Sequence, residues 1–363
     1  MVNITILAGG YTSFIASYVF NTDTETLTYL NQYQTGDNPS WIIGHPTNAS
    51  ILYAANEDTP GALQSFVVGD DGALTTVDTI YSGGNGPPYV GPLTTGQIAV
   101  ADYGSGQASV IATQADGLHF VNGSNTITFP TKDSGPYAGV SEPHMALQVG
   151  EEVFVPDRSG DTIWRIGQDG DSAGQWSLHG QIQHPNGTGP RHIRVVDNML
   201  YTVHEFASTL TMQAVPSYPN GTSDIIANVS IIPPNPPSGS SFAGGELLAP
   251  PPSTAFPKQY FYASNRNLGT QDPRGDSIAI FENDNNQQLT LVQQVYTGLD
   301  QIRGVMVGPS EDGADAYFVA AGVAGTAGVK VFKRTDGGAN MTLVATDTTL
   351  PTRTSFVLIP QGK

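Results

Sequence analysis

Short apolar runs, each broken by Gly, Pro, Asn or Asp, recur along the whole 363-residue chain. Many end in a small polar group and are followed by a turn and a second, alternating run. The first members are "TILAGGY", "LYAANED", "IAVADYG", "VFVPDRS", "LYTVHEF", "FYASNRN" and "YFVAAGV". Alternation of this kind predicts half-buried strands, and the turn residues mark their ends. Their partners include "ALQSFVVG", "ASVIATQA", "TIWRIGQ", "SIAIFEN" and "GVKVFKR", with "DDG", "QDG" and "TDGG" as turns.

Superposing the seven first runs puts Gly10, Asn56, Asp102, Asp157, His204, Asn265 and Ala321 in register, at steps of 46, 46, 55, 47, 61 and 56 residues. A repeat of this size, with four short strands in each copy, predicts an all-β, seven-bladed β-propeller of four-stranded antiparallel blades. One propeller domain then occupies residues 1–363. Two β-sandwiches would leave the sevenfold register unexplained. The terminal strands, "VNITILAG" and "TSFVLIPQ", are expected to share one blade and close the ring. The longest step holds a Pro- and Gly-rich stretch, residues 231–260, read as an exposed connection or a lid over the central opening.

Equivalent positions of a propeller face a common axis. The residues after the registered ones are Tyr11, Glu57, Tyr103, Arg158, Glu205, Arg266 and Gly322. A second set, at the start of each blade, is Trp41, Tyr89, His144, Arg191, Glu246 and Arg303. Four of the nine arginines of the chain fall in these two sets. In "GTGPRHIRV" the proline aims Arg191 at the mouth of the channel, and alternation turns His192 toward the blade interior. The bland alternative for each charged residue is a salt bridge that closes the channel, with Glu205 or Glu246 as its carboxylate. Buried arginines are costly to desolvate, however, and their planar fork suits a carboxylate or carbonyl ligand.

Charge narrows the function. With 14 basic against 32 acidic side chains and a net charge of −18, the chain offers no basic surface for nucleic acid or an anionic membrane. It has no cysteine and no run long enough for a membrane span. No triplet of histidines has metal-ligand spacing, and no Gly-x-Ser-x-Gly signature is present. His179 and His184 lie in a polar, Gly-rich stretch and are read as surface; His45 and His119 stand outside the pattern. Seven Asn-x-Ser/Thr sequons, at Asn3, Asn48, Asn122, Asn186, Asn220, Asn228 and Asn340, suggest a secreted protein whose leader was replaced by Met1. A cytoplasmic protein with unused sequons is the alternative.

The motifs "SEPHM", "GTGPRHI", "TVHEFASTL", "YASNRNLG…DSIAIF" and "VADYGSGQASV" resemble those of the seven-bladed propeller lactonases. That family includes bacterial-type 6-phosphogluconolactonases and fungal 3-carboxy-cis,cis-muconate lactonizing enzymes. The resemblance implies a site made of His144, Arg191, Glu205 and Arg266, the same residues that the two rings select. Trp41, Glu57, Tyr103, Arg158, Glu246 and Arg303 are the expected substrate contacts around it. The bacterial branch reads Pro-His-x-His, where this chain has Ala146 in the last place. The expected function is a cofactor-independent enzyme acting on the ring of a small lactone, most simply by hydrolysis. Its partner is then a small lactone or carboxylate. A lactonizing cycloisomerase and a propeller that only binds a small acid or sugar are the alternatives. A protein-binding propeller of the WD type is disfavoured, because its Gly-His and Trp-Asp pairs are missing.

Overall fold

The computed structural model describes residues 2–123, 125–170, 175–284 and 288–361. Seven four-stranded antiparallel sheets succeed one another around the chain. The only helical elements among these residues are four short 3-10 turns. The innermost strands of neighbouring blades pack against one another, which places them around a common axis. The sequence dictates this layering directly. Second strands such as Ile51–Asn56 lie between two neighbouring blades and are buried along their whole length. Outermost strands such as Leu74–Tyr81 expose every residue they do not pack. No helix is long and apolar enough to cross a membrane.

The ring closes as the terminal strands predict. Ser355–Gln361 forms the innermost strand of blade 1 and pairs antiparallel with Asn3–Gly9, from Asn3 opposite Gln361 to Gly9 opposite Ser355. Phe356 is fully buried in this joint, in one apolar cluster with Ile4, Ile6, Tyr18, Phe20 and Val319.

The Pro-rich stretch 231–260 is not one unit. Its centre, Phe242–Leu248, is the innermost strand of blade 6, and proline clusters flank that strand at both ends. That central strand therefore builds part of the channel wall. His184 is a second departure. It is buried, with its ring 5.0 Å from that of His204. Its backbone N–H donates to the Asp161 carbonyl at 2.9 Å, which draws the residue inward from the end of Trp176–Gln183. Burial brings its pKa down to about 4, so it sits there as a neutral imidazole. His179, by contrast, stays near the outer edge beside Asp169 and Tyr218.

Because closure depends on one short strand, Phe356→Ala should destabilise the whole domain by about 3–5 kcal/mol, the usual cost of truncating a buried phenylalanine. Urea unfolding followed by circular dichroism should show one transition at a lower midpoint. A midpoint equal to that of the unaltered protein would show that the terminal strand is not what closes the ring.

Candidate active site

A cavity of about 210 Å³ opens at one end of the channel, lined by Tyr11, Glu57, Pro88, Tyr103, His144, Arg158, Arg191, Glu205, Arg266, Arg303 and Val323. It sits where the innermost strands begin and the second strands end. Wider depressions, lined by residues such as Thr95, Gln148 and Gly167, lie at the opposite ends of the same strands. They contain no comparable gathering of charge.

Two side-chain layers fill the channel, and a strand irregularity separates them. In blade 5, Pro190 pairs with His204 and His192 with Val203, leaving Arg191 as an extra, unpaired residue. Blade 2 repeats this, with Pro39 opposite Asn56, Trp41 opposite Ala55 and Ser40 left out. Blade 7 leaves out Arg303, between Ile302 and Gly304. In blade 6, Gly245 and Glu246 both fall between paired Gly244 and Leu247. An added residue of this kind breaks alternation, so that two successive side chains turn to the same side. The structural equivalents of Arg191 are thus Ser40, Gly245 and Arg303, whereas Trp41 and Glu246 are equivalents of His192.

This corrects three expectations. Trp41 and Glu246 do not line the cavity; they lie in the layer beneath it. His192 does not point into its own blade. Its ring meets those of Trp41, Tyr89 and His144 at 5.5, 6.0 and 5.2 Å, and its Nδ1 lies 2.7 Å from Glu246 Oε1. Contacts with blades 2, 3, 4 and 6 place it on the axis. A fourth correction concerns blade 7, where Ile302 pairs with Gly322, the position that Asn56 holds in blade 2. The register slips by one residue there, so Val323 faces the cavity and Gly322 does not.

The upper layer brings His144, Arg191, Glu205 and Arg266 together with Glu57, Tyr103, Arg158 and Arg303. Glu205 is its hub. Arg191 Nε and Arg266 Nη2 each stand 3.0 Å from Glu205 Oε2, and Arg158 Nη1 reaches Oε1. Burial raises the proton affinity of Glu205, but the three guanidiniums outweigh it and hold the carboxyl below its ordinary range. Arg191 also donates to the Gly245 carbonyl at 2.6 Å, and Arg266 to that of Gly244 at 3.0 Å. Glycine is required at both places. A Cβ on Gly244 would stand 2.5 Å from the His204 carbonyl oxygen, and one on Gly245 2.4 Å from Ser264 Oγ.

Arg158 donates to Glu142 through Nε at 2.9 Å and also binds the Tyr103 hydroxyl. Glu142 belongs to neither set of equivalent positions, although it stands two residues before His144 in "SEPHM". Arg303 donates to the Ser40 carbonyl at 3.1 Å and to Glu57 Oε2 at 3.0 Å; Glu57 also accepts from the Tyr11 hydroxyl at 3.0 Å.

Arg191 is almost fully buried. Burial, and then Arg266, bring its pKa to about 9, which leaves it charged at neutral pH. His144 is likewise depressed: burial first, then the neighbouring Arg191, His192, Arg303 and Arg158, hold it well below the ordinary histidine range. The lining therefore carries four arginines, two glutamates and a neutral histidine, an electropositive pocket in a protein of net charge −18. Among the described residues, no three His, Cys, Asp or Glu side chains gather as metal ligands do.

Fold and site together define a propeller with a small, arginine-lined pocket at one mouth of its channel. The chain belongs to the seven-bladed β-propeller lactonase family, whose sequence profile matches residues 5–358, and it is accordingly a lactone-hydrolysing enzyme. It is 28% identical to a probable 6-phosphogluconolactonase of Arthroderma benhamiae over 323 residues, covering 83% of this chain and 76% of that protein. The fold is shared with a periplasmic gluconolactonase of Pseudomonas aeruginosa (TM-score 0.81, 18% identity, 98% of this chain and 99% of that one). It is also shared with a putative 6-phosphogluconolactonase of Bacteroides fragilis (TM-score 0.80, 21% identity, 98% of each chain).

Removing the hub charge should destabilise the protein. Glu205→Gln leaves buried Arg191 and half-buried Arg158 and Arg266 without their shared carboxylate, a change expected to cost about 3 kcal/mol in urea unfolding at neutral pH. The stabilisation from Glu205 is complete above the ordinary glutamate pKa of 4.5 and is lost as pH falls through its lowered folded value. The deficit of the variant should therefore shrink in acid. A deficit that is absent at neutral pH, or that grows on acidification, would contradict the hub.

Proposed function

We propose that the cavity hydrolyses a single-ring lactone of a sugar acid. The observation that carries this reading is the convergence of four arginines and a neutral His144 on one small cavity. About 210 Å³ lies below the usual range for drug-sized ligands and suits a monosaccharide-sized ring. Glu57, Tyr11 and Tyr103 supply hydrogen-bond partners for ring hydroxyls at its edge.

In this reading Arg191 and Arg266 face the lactone carbonyl, where charge develops as water adds. Both are already fixed by Glu205 and by the backbone carbonyls of blade 6, so no reorganisation is needed when the oxyanion forms. His144 accepts the proton of the attacking water. Glu205 is the weaker base, because three guanidiniums beside it hold its carboxyl below the ordinary glutamate range. Collapse of the tetrahedral intermediate breaks the ring C–O bond. The proton held by His144 passes to the departing ring oxygen, and the product is an open-chain hydroxy acid that ionises to its carboxylate. A lactone is an activated ester, so charge stabilisation and one base suffice without a covalent step.

The test is a pH-indicator assay on glucono-1,5-lactone, 6-phosphogluconolactone and cellobiono-1,5-lactone. Acid release above the spontaneous rate is expected for at least one of them. Arg191→Ala should lower kcat/KM by about 100-fold or more, as loss of one oxyanion donor does, with the fold confirmed by circular dichroism. Turnover unchanged in both Arg191→Ala and Arg266→Ala would remove this site. A flat panel would overturn the sugar-acid reading and turn it toward another class of lactone.

A second expectation concerns pH. His144 acts in its neutral form, and its pKa is depressed, so the base remains available below pH 6.5. The acid limb of kcat/KM should lie well under 6.5, and His144→Ala should lower kcat by about 100-fold or more. An acid limb at or above 6.5 would contradict His144 as the base in this environment.

A further inference from the structure

The hydrolytic reading leaves two buried ionisable groups without a task, His192 and Glu246, directly beneath His144. His192 is fully buried, and its Nδ1 stands 2.7 Å from Glu246 Oε1. Burial works against charge on Glu246, but the hydrogen bond from His192, with Arg194 and Arg191 nearby, outweighs it and holds the carboxyl below the ordinary glutamate range. Burial is the largest influence on His192 and brings it to about 4, so the ring is neutral. A neutral imidazole facing a carboxylate must carry its proton on the facing nitrogen. His192 therefore holds its hydrogen on Nδ1 and presents a bare lone pair at Nε2.

That Nε2 is buried without a partner, and so is Nδ1 of His144. The two rings are neighbours, 5.2 Å apart between centroids and inclined at 54°. The rings pack side by side, so each unpaired nitrogen has the other ring as its neighbour. Burial of two complementary groups in contact, each unpaired, would be costly unless they pair with each other.

We propose that Glu246 and His192 form a relay that positions His144: Glu246 fixes the tautomer of His192, and His192 Nε2 accepts the Nδ1–H of His144, leaving the Nε2 lone pair of His144 free for the cavity. The relay gives His144 its purpose in an unfavourable field. Arg191, Arg303 and Arg158 all oppose protonation of this ring, with His192 and Tyr103 packed against it. An acceptor on the far side strengthens as His144 takes up a proton, which raises its capacity as a base. This inference rests on the reading of His144 as the base, but its first test does not need activity.

Histidine tautomers are read from nitrogen shifts of the full-length protein labelled with 15N-histidine. His144 is expected as the Nδ1–H form in the unaltered protein and as a mixture in His192→Asn. An Nε2–H form in the unaltered protein overturns the relay. Trp41 offers the other buried, unpaired donor near His192. If the indole served His192 Nε2, Trp41→Phe would move the His192 signals and leave His144 as before, which also overturns it.

Kinetics supply an independent reading. Asparagine reproduces the Nδ1 donor toward Glu246 but not the Nε2 acceptor; glutamine reproduces the acceptor but not the donor. His192→Asn should lower kcat by about tenfold, the equivalent of one hydrogen bond, with KM little changed. His192→Gln should lose less, and the acid limb of the asparagine variant should shift downward. The reverse order would make His192 only a structural partner of Glu246. If His144→Ala itself left the rate intact, the hydrolytic reading would fail, whatever the tautomers showed.

Discussion

Four guanidiniums cannot share one small cavity unless carboxylates are buried among them. Each pair of like charges at close range in a poorly hydrated interior repels strongly, and each arginine also gives up its hydration. Glu205, just past the second strand of blade 5, answers three of the four, and Glu57 answers Arg303 from blade 2. The backbone carbonyls of Ser40, Gly244 and Gly245 take further N–H groups. The arginines are thus held before any ligand arrives. That prior fixing suits a site meant to stabilise charge that appears only during reaction.

The fold supplies this arrangement through a local irregularity repeated around the ring. An extra residue near the start of an innermost strand turns two successive side chains toward the axis in blades 2, 5 and 6, and frees Arg303 in blade 7. In blades 5 and 7 the extra residue, Arg191 or Arg303, becomes cavity wall. The residues that follow it in blades 2, 5 and 6, Trp41, His192 and Glu246, pack with Tyr89 into a plug. The plug closes the channel, so the cavity is a dead end of about 210 Å³ and not a pore.

Seven blades, their four strands and their closure by the two termini follow from the register of polar residues that end each second strand. The charged lining follows from the same register, because a side chain just past a strand end has one place to go. What alternation misreads is the innermost strand. Trp41 and Glu246 are set beside Arg191 by counting residues, yet the unpaired Ser40 and Gly245 shift them one layer down. His192 is turned toward its blade by the same count, although the irregularity at Arg191 points it to the axis. Neither feature has a local sequence mark, since Ser, Arg and Gly all occupy the extra position. His184 was misread for another reason. A polar, Gly-rich neighbourhood speaks for a surface, but a backbone bond to Asp161 carries the ring inside. Glu142 alone was open to recovery, through its two-residue spacing from His144.

On the proposed reading, the arginine-lined mouth of the channel holds both a lactone and its hydroxy-acid product. The decisive experiment is a crystal structure with an aldonate product bound. The product carboxylate should lie against Arg191 and Arg266, within hydrogen-bond distance, with His144 facing the same carbon. A product seated in the wide depressions at the opposite end of the blades, with the arginine cavity unchanged, would contradict it.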